Sequence, residues 1–370
     1  MGSKQEGLPH DVVMNILARL PVKSLLRFKC VSKEWLNLIK SPFFTQQHLL
    51  YSSRNPFLLL QRYHCQVLPV PFTCYLVGPH NNNPQITDFP MPFQPPTARI
   101  RIVASCNGLL CLREKTKFSL FNPATNRIKN LPVKCRYFGF GFTPQSNDYK
   151  IVGISTLVKD VPANLDHDRV GRAHVYSLNS GSSKEIDAVK LQPFCSFSTP
   201  VAITGNVFWL AKKGYDRNSD YVVSFDIERE FFTLLNGPPS PTGSHSYSKN
   251  LLAVCNDKLA MFHHYFRGIR EPYSFDLWVL EGSDNRDVVG ECWVKMYSVG
   301  PFSRILYPLS IWRDEVVCEE AVCEEGIRFA GGKKVVSLFN PFTYESKNLL
   351  AHRNDRAYAP FTYAESLVQL

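Results

Sequence analysis

Several things are missing from this sequence, and each absence excludes a class of protein. No stretch approaches the roughly eighteen apolar residues of a membrane-spanning helix, and Met1 to Gly7 carries no apolar run of the kind that marks a secretory leader. The 11 cysteines include no CxxC pair and no regular framework, which argues against a disulfide scaffold or a zinc site and for reduced thiols. A soluble protein of the cytoplasm, the nucleus or both is expected, with no membrane partner. GxSxG, HExxH and GxxxxGKS/T patterns are absent, and Gly139-Phe-Gly141 runs into Phe142-Thr143-Pro144 without a third glycine. It reads as a strand that permits close packing rather than a nucleotide loop.

Charge is also sparse, at 20% of residues, while proline reaches 26 and glycine 20. That balance is typical of turn-rich β-structure. With 370 residues, 44% of them hydrophobic, the chain can bury a large core without cross-links. The net charge of +10 is dispersed rather than gathered into a stripe, so a nucleic-acid partner is not expected. Residues 1–50 carry seven Lys/Arg against three Asp/Glu, a net +4. An acidic partner would suit them.

From Leu8 to Leu20, Val12, Val13, Ile16 and Leu17 recur at helical steps. Pro9 fits the first turn, Pro21 ends this helix and starts the next (Val22, Leu25, Leu26, Cys30), and Ser32 caps a third that should stop before Pro42. Three short helices so rich in apolar residues cannot bury them all among themselves. The surplus belongs either to a partner or to the domain that follows. The run Leu20-Pro-Val-Lys-Ser-Leu-Leu-Arg-Phe-Lys-Cys-Val-Ser-Lys-Glu-Trp35, with Leu8-Pro9 before it and Ser41-Pro-Phe-Phe44 after it, resembles the F-box, especially its plant form. His10 stands where many members have an acidic residue. The resemblance implies that Leu8, Pro9, Ile16, Leu20, Pro21, Val22, Leu25, Cys30 and Val31 contact a Skp-type adaptor and that Trp35 is a core residue fixing the helices.

Residues 51–98 read as a transition, with a strand-like run Phe57 to Leu60 and a Pro/Asn-rich surface loop from Pro79 to Pro96. Residues 99–370 are then a series of short apolar segments broken by Gly, Pro, Asn and Asp. Ser119-Leu-Phe-Asn-Pro-Ala-Thr-Asn-Arg-Ile-Lys-Asn-Leu131 aligns without gaps on Ser337-Leu-Phe-Asn-Pro-Phe-Thr-Tyr-Glu-Ser-Lys-Asn-Leu349, with nine of thirteen positions identical. Looser copies run from Val175 to Ile186, Val223 to Leu234 and Phe275 to Val294. Spacings of about fifty residues predict propeller or kelch-like blades, five or six of them. The strand Tyr363 to Val368 is expected to join an early blade and close the ring.

Cys106-Asn-Gly-Leu-Leu-Cys-Leu112, Phe121-Asn-Pro-Ala-Thr125, Phe138-Gly-Phe-Gly-Phe142, Gly205-Asn-Val-Phe-Trp-Leu210, Ser224-Phe-Asp226 and Glu365-Ser-Leu-Val368 are similar to the plant F-box-associated interaction domain of S-locus-like F-box proteins. The resemblance implies a small all-α F-box before an all-β kelch-like propeller. It further implies a non-catalytic substrate-recognition subunit of a Skp–cullin–F-box (SCF) ubiquitin ligase, linked through the adaptor to cullin and RING subunits, with no cofactor. A pistil ribonuclease is one target class compatible with it, and defence or developmental targets are equally so. A propeller hydrolase or glycan-binding protein, or an F-box protein acting outside degradation, are the alternatives.

Nothing else in the chain gathers into a catalytic set. Glu319-Glu320 and Glu324-Glu325 read as solvated residues around a hairpin, and His263-His264 as a strand edge without a third metal ligand. The long polar connections are better candidates for target contact, because propellers recruit partners through loops on one face. Within them stand Asp166, His167, Tyr215, Arg217, His245, Tyr247, Arg267 and Arg270.

Overall fold

Proline sets the helix boundaries in the computed structural model, which describes residues 8–64, 73–78, 84–89, 91, 100–157, 169–203, 205–213, 220–239, 247–266, 273–282, 292–302, 305–321, 333–353 and 356–370. Pro9 and Pro21 are the N-cap residues of α1 (His10–Leu17) and α2 (Val22–Phe28), where a missing N–H costs nothing. Ser32 caps α3 (Lys33–Lys40), its Oγ accepting from the Trp35 amide at 3.1 Å. A fourth helix, α4 (Pro42–Arg54), is one more than expected. Ser41 explains it: its Oγ donates to the Leu38 carbonyl at 2.8 Å and accepts from the Phe44 amide at 3.1 Å, so one hydroxyl ends α3 and starts α4. The helical part therefore runs past residue 50 to Arg54.

The following strand, β1 (Phe57–His64), pairs with the last strand of the chain, β25 (Arg356–Tyr363), over eight antiparallel residue pairs. With β2 (Thr73–Val77) and β3 (Ile86–Phe89) these form one blade in the order β25-β1-β2-β3. The segment 51–98 is thus no mere transition, since three strands of the closing blade lie in it, one of them inside the expected Pro/Asn-rich loop. The closing strand itself ends at Tyr363, and residues 364–370 continue as an irregular tail.

Five further blades complete the ring. The second comprises β4 (Ile100–Cys106), β5 (Leu109–Glu114), β6 (Lys117–Asn122) and β7 (Arg127–Leu131). The third comprises β8 (Tyr137–Thr143), β9 (Asp148–Leu157), β10 (Arg169–Ser177) and β11 (Ser183–Ile186). In the fourth, the inner strand is broken into β12 (Phe194–Phe197) and β13 (Val201–Ile203), both paired with β14 (Asn206–Lys213), and β15 (Asp220–Asp226) and β16 (Phe231–Leu235) follow. The fifth is β17 (Tyr247–Cys255), β18 (Lys258–Phe266), β19 (Tyr273–Glu281) and β20 (Cys292–Phe302), and the sixth β21 (Ile305–Trp312), β22 (Glu315–Ala321), β23 (Lys333–Phe339) and β24 (Ser346–Arg353). Around the axis β25, β4, β8, β13, β17 and β21 each touch the next.

Each blade is covered by a neighbour on both faces, which is why its middle strands are continuous apolar runs rather than alternating ones. Six separate apolar clusters fill the six gaps between consecutive blades. In the gap between the third and fourth, the Trp209 ring is fully buried and its Nε1 donates to the Phe138 carbonyl at 2.9 Å. A Cβ on Gly139 would lie 2.5 Å from that ring, so the Gly139-Phe-Gly141 pair does serve close packing. Cys106, Cys111 and Cys318 form no disulfide in this β-structure, and burial pushes the Cys106 thiol up to about 12.

The sequence repeat is the outer hairpin of a blade. Asn122 Oδ1 accepts from the amides of Ala124 and Thr125 at 3.0 and 3.3 Å, and Asn340 Oδ1 from Phe342 and Thr343 at 2.9 and 3.1 Å. Four residues on, Asn126 and Tyr344 take left-handed backbone with φ of 53° and 62°. Two of the looser copies keep the turn with other residues: Asp226 Oδ1 accepts from Arg229 and Glu230 has φ 59°, while Ser177 Oγ accepts from Ser180 and Gly181 has φ 65°; the turn of the third, between Phe275 and Val294, lies outside the described residues. A short acceptor side chain at the first position is what survives, because it replaces the missing backbone partner.

The two strict copies differ in one respect. Asn122 is fully buried and its Nδ2 also donates to the Ser366 and Val368 carbonyls, at 3.0 and 2.8 Å. Asn340→Ala is expected to cost about 1 kcal/mol and Asn122→Ala about 2 kcal/mol more, the difference reflecting two buried carbonyls left without donors. Urea unfolding of the two variants checks this, and equal losses would mean the tail bonds contribute nothing.

Two expectations are overturned. His263 and His264 lie on β18, an interior strand of its blade, and both are buried; His264 stacks on Tyr273 and meets Tyr307 edge-on. Glu320 is buried as well, accepting from the Ser337 hydroxyl at 2.8 Å, while Glu319 pairs with Lys334. In both cases the residue type suggested an exposed edge, but a strand flanked on both sides buries its polar side chains too and supplies partners for them. Glu324 and Glu325 lie outside the described residues.

Candidate functional site

Helix packing divides the nine expected adaptor contacts into two groups. Leu8, Ile16 and Val31 are 66, 50 and 61% exposed, and Pro9, Pro21 and Cys30 are also exposed. Leu20 is half-buried. Val22 and Leu25, by contrast, have no exposure at all, packing with Leu17, Ile39, Phe44 and Leu367 in the core of the helical module. These two are interior residues of the helical module, because their side of α2 faces α4 and the propeller tail. Trp35 is half-buried, with its ring edge against Phe28 at 5.4 Å, as a residue fixing α2 to α3 would be. Phe43 and Leu50 on α4 add exposed apolar surface that went unread because α4 itself was not foreseen.

What holds the helices to the ring is the tail after β25. Glu365 Oε2 accepts from the Val22 amide at 2.8 Å, placing a carboxylate at the start of α2, and the Glu365 carbonyl accepts from Ser52 Oγ at 2.8 Å. Leu367 enters the helical core. Between them, the fully buried Ser366 and then Val368 turn their carbonyls to Asn122 of the second blade. Odd positions thus grip the helices and even positions grip the propeller. Gly108 makes room for this: at φ 76°, a Cβ there would lie 2.4 Å from the Ala364 carbonyl oxygen and from Ser366 Cβ.

His48 completes the joint from α4. It is buried, and its Nε2 donates to the Leu20 carbonyl at 3.0 Å. Burial holds its pKa below the usual histidine range, against the opposing pull of the Leu20 carbonyl and the Glu365 carboxylate. Tyr51 sits between the Arg19 and Arg54 guanidiniums, 5.3 and 5.0 Å from its ring centre.

The joint lies on the rim where β25 ends, next to the β4–β5 and β6–β7 turns. Several connections on that rim are tight turns, as between β4 and β5, β6 and β7, β8 and β9 and β17 and β18, while those joining β2 to β3 and β19 to β20 are longer. The connections that join β9 to β10, β14 to β15, β16 to β17 and β18 to β19 leave from strand ends on the opposite rim. Asp166, His167, Tyr215, Arg217, His245, Arg267 and Arg270 belong to those connections and lie outside the described residues, as does the side chain of Tyr247, whose backbone begins β17. Among the described residues no group of three or more His, Cys, Asp or Glu is placed to hold a metal ion, and no helix is long and apolar enough to cross a membrane.

A four-helix docking module clamped to one rim of a closed six-bladed ring defines a two-ended adaptor class of protein. Comparison with known families agrees: the F-box associated beta propeller domain matches residues 62–370 and the F-box domain residues 6–47. The chain belongs to the F-box associated beta propeller family. Among its relatives, F-box protein At3g49450 of Arabidopsis thaliana is 26% identical over 95% of this chain and 84% of its own length. F-box protein At2g40925 of the same plant is 28% identical over 74% of this chain and 70% of its own, and F-box/WD-40 repeat-containing protein 1 is 26% identical over 86 and 78%.

Proposed function

We propose that this chain is the substrate receptor of an SCF-type ubiquitin ligase. Its F-box binds a Skp-type adaptor, and through it cullin and RING subunits, while the propeller holds a target protein by the rim opposite the helices. The observation that supports this reading is that the helices with their exposed apolar residues sit on one rim of a closed ring, while the strand ends of β9, β14, β16 and β18, from which four of the longer connections leave, lie on the other. The chain contributes no catalytic group. Its work is positional: a target held at a fixed distance from a loaded conjugating enzyme reacts as if the transfer were intramolecular. The cytoplasm and nucleus are the compartments where such an assembly would act.

The test is affinity capture of the chain from plant cells with the proteasome inhibited, quantified by mass spectrometry, for wild type and for the Leu8→Ala/Pro9→Ala double variant. The variant is expected to lose the adaptor while keeping a target that accumulates. Wild-type chain that recovers no Skp-type adaptor would overturn the proposal.

A further inference from the structure

Where the helices meet the ring, the joint encloses a cavity of about 480 Å³, a size typical of small-molecule sites. Four parts of the chain wall it: the α1–α2 connection, the second half of α4, the start of β1 and the tail after β25. Two arginines stand in that wall, Arg19 in the α1–α2 connection and Arg54 at the end of α4. The one acid among the described wall residues is Glu365 of the tail.

These charges are not spent on one another. The Arg19 and Arg54 guanidiniums lie 5.3 and 5.0 Å from the centre of the same Tyr51 ring. Sharing that ring keeps them within roughly 10 Å of each other. Among the described residues neither meets a carboxylate or a carbonyl. Glu365 instead bonds the Val22 amide through Oε2. Asn55, also in the wall, accepts from Arg313 Nη2 at 3.4 Å through Oδ1, which leaves its amide nitrogen as a further donor. A ring attracts a guanidinium without neutralising it or using its N–H groups, so two cationic forks stand at the cavity with their donors unspent.

We propose that this cavity binds a small organic phosphate, with the phosphate held by Arg19 and Arg54 and the apolar body resting on Leu20 and Phe57 of the wall. A phosphate ester brings about two negative charges and three acceptor oxygens, enough to serve both guanidinium forks. A carboxylate, with two oxygens, fills one fork and leaves the other unmet. Both arginines are exposed, so their side chains are free to close on the ligand. The wall joins the helices to β1 and the tail, and a ligand seated there therefore stabilises the mounting of the F-box on the propeller by mass action. That role is separate from whatever the propeller holds on its other rim.

The test is titration calorimetry of the full chain with naphthyl phosphate, naphthoate and naphthol, beside thermal melts. The phosphate is expected to bind one to one, about tenfold or more tighter than the carboxylate, and to raise the melting temperature. Inorganic phosphate, which has no apolar body, should displace it only at higher concentration. In the Arg19→Gln/Arg54→Gln variant phosphate binding is expected to fall about tenfold or more. Both substitutions are at exposed positions, so the melting temperature without ligand should stay close to that of the wild type. The Arg19→Lys/Arg54→Lys variant keeps the charge but loses the forks, and its affinity should lie between the two. The proposal is overturned if the wild type does not bind the phosphate, if naphthoate or naphthol binds as tightly, or if the Gln variant binds the phosphate at full strength.

Discussion

Deleting residues 356–370 is expected to abolish cooperative unfolding and leave an aggregating chain. The deletion takes away the innermost strand of the first blade, with its eight-pair ladder to β1, and so exposes the unpaired edge of β1. Tyr358 and Tyr363, buried at 4 and 2% exposure, go with it, as do Glu365 and Leu367. Burying one large aromatic side chain is typically worth about 3–5 kcal/mol in truncation experiments, and a domain's whole margin is about 5–15 kcal/mol. The loss therefore consumes most of the margin. Thermal unfolding followed by circular dichroism, together with size-exclusion chromatography, checks it. A shortened chain that stays monomeric and melts at the wild-type midpoint would show that the ring does not depend on this strand.

The second large effect concerns the adaptor. Leu8→Ala with Pro9→Ala is expected to raise the dissociation constant for a Skp-type adaptor about a thousandfold, since two exposed central anchors at about 2 kcal/mol each are removed together. The same assay on Val22→Ala should give a different signature. Val22 is fully enclosed, so its truncation lowers the melting temperature of the helical module and weakens adaptor binding only through that loss. Titration calorimetry beside thermal melts separates the two. Full-strength binding by the Leu8/Pro9 variant would mean the adaptor engages another face, such as that carrying Phe43 and Leu50.

The contrast between Leu8 and Val22 also shows what could be read from sequence alone. Both are apolar residues in one motif, and periodicity places each on an apolar face. Which of them meets solvent depends on residues more than three hundred positions away, Glu365 and Leu367, that no local pattern connects to α2. The propeller was legible because its Asn-Pro turns repeat, and a repeat reports architecture whether or not each copy is exact. The first blade was not legible as a blade, because its inner strand comes from the other end of the chain and β1 to β3 carry no copy of the turn. Buried His263, His264 and Glu320 were misplaced for a related reason: residue type predicts exposure, but a strand in the middle of a blade has no exposed side to offer.

That closure has a consequence for the order in which the protein is made. During translation the helices emerge first and the remaining strands follow, but β25 and the gripping residues Glu365 and Leu367 leave the ribosome only after every other strand of the ring. Pairing β1 with β25 spans nearly the whole chain, the kind of contact that forms late and slowly. A partly synthesised receptor thus has an F-box with nothing rigid beneath it. Firm mounting of the F-box therefore waits for the last strand and the residues that follow it.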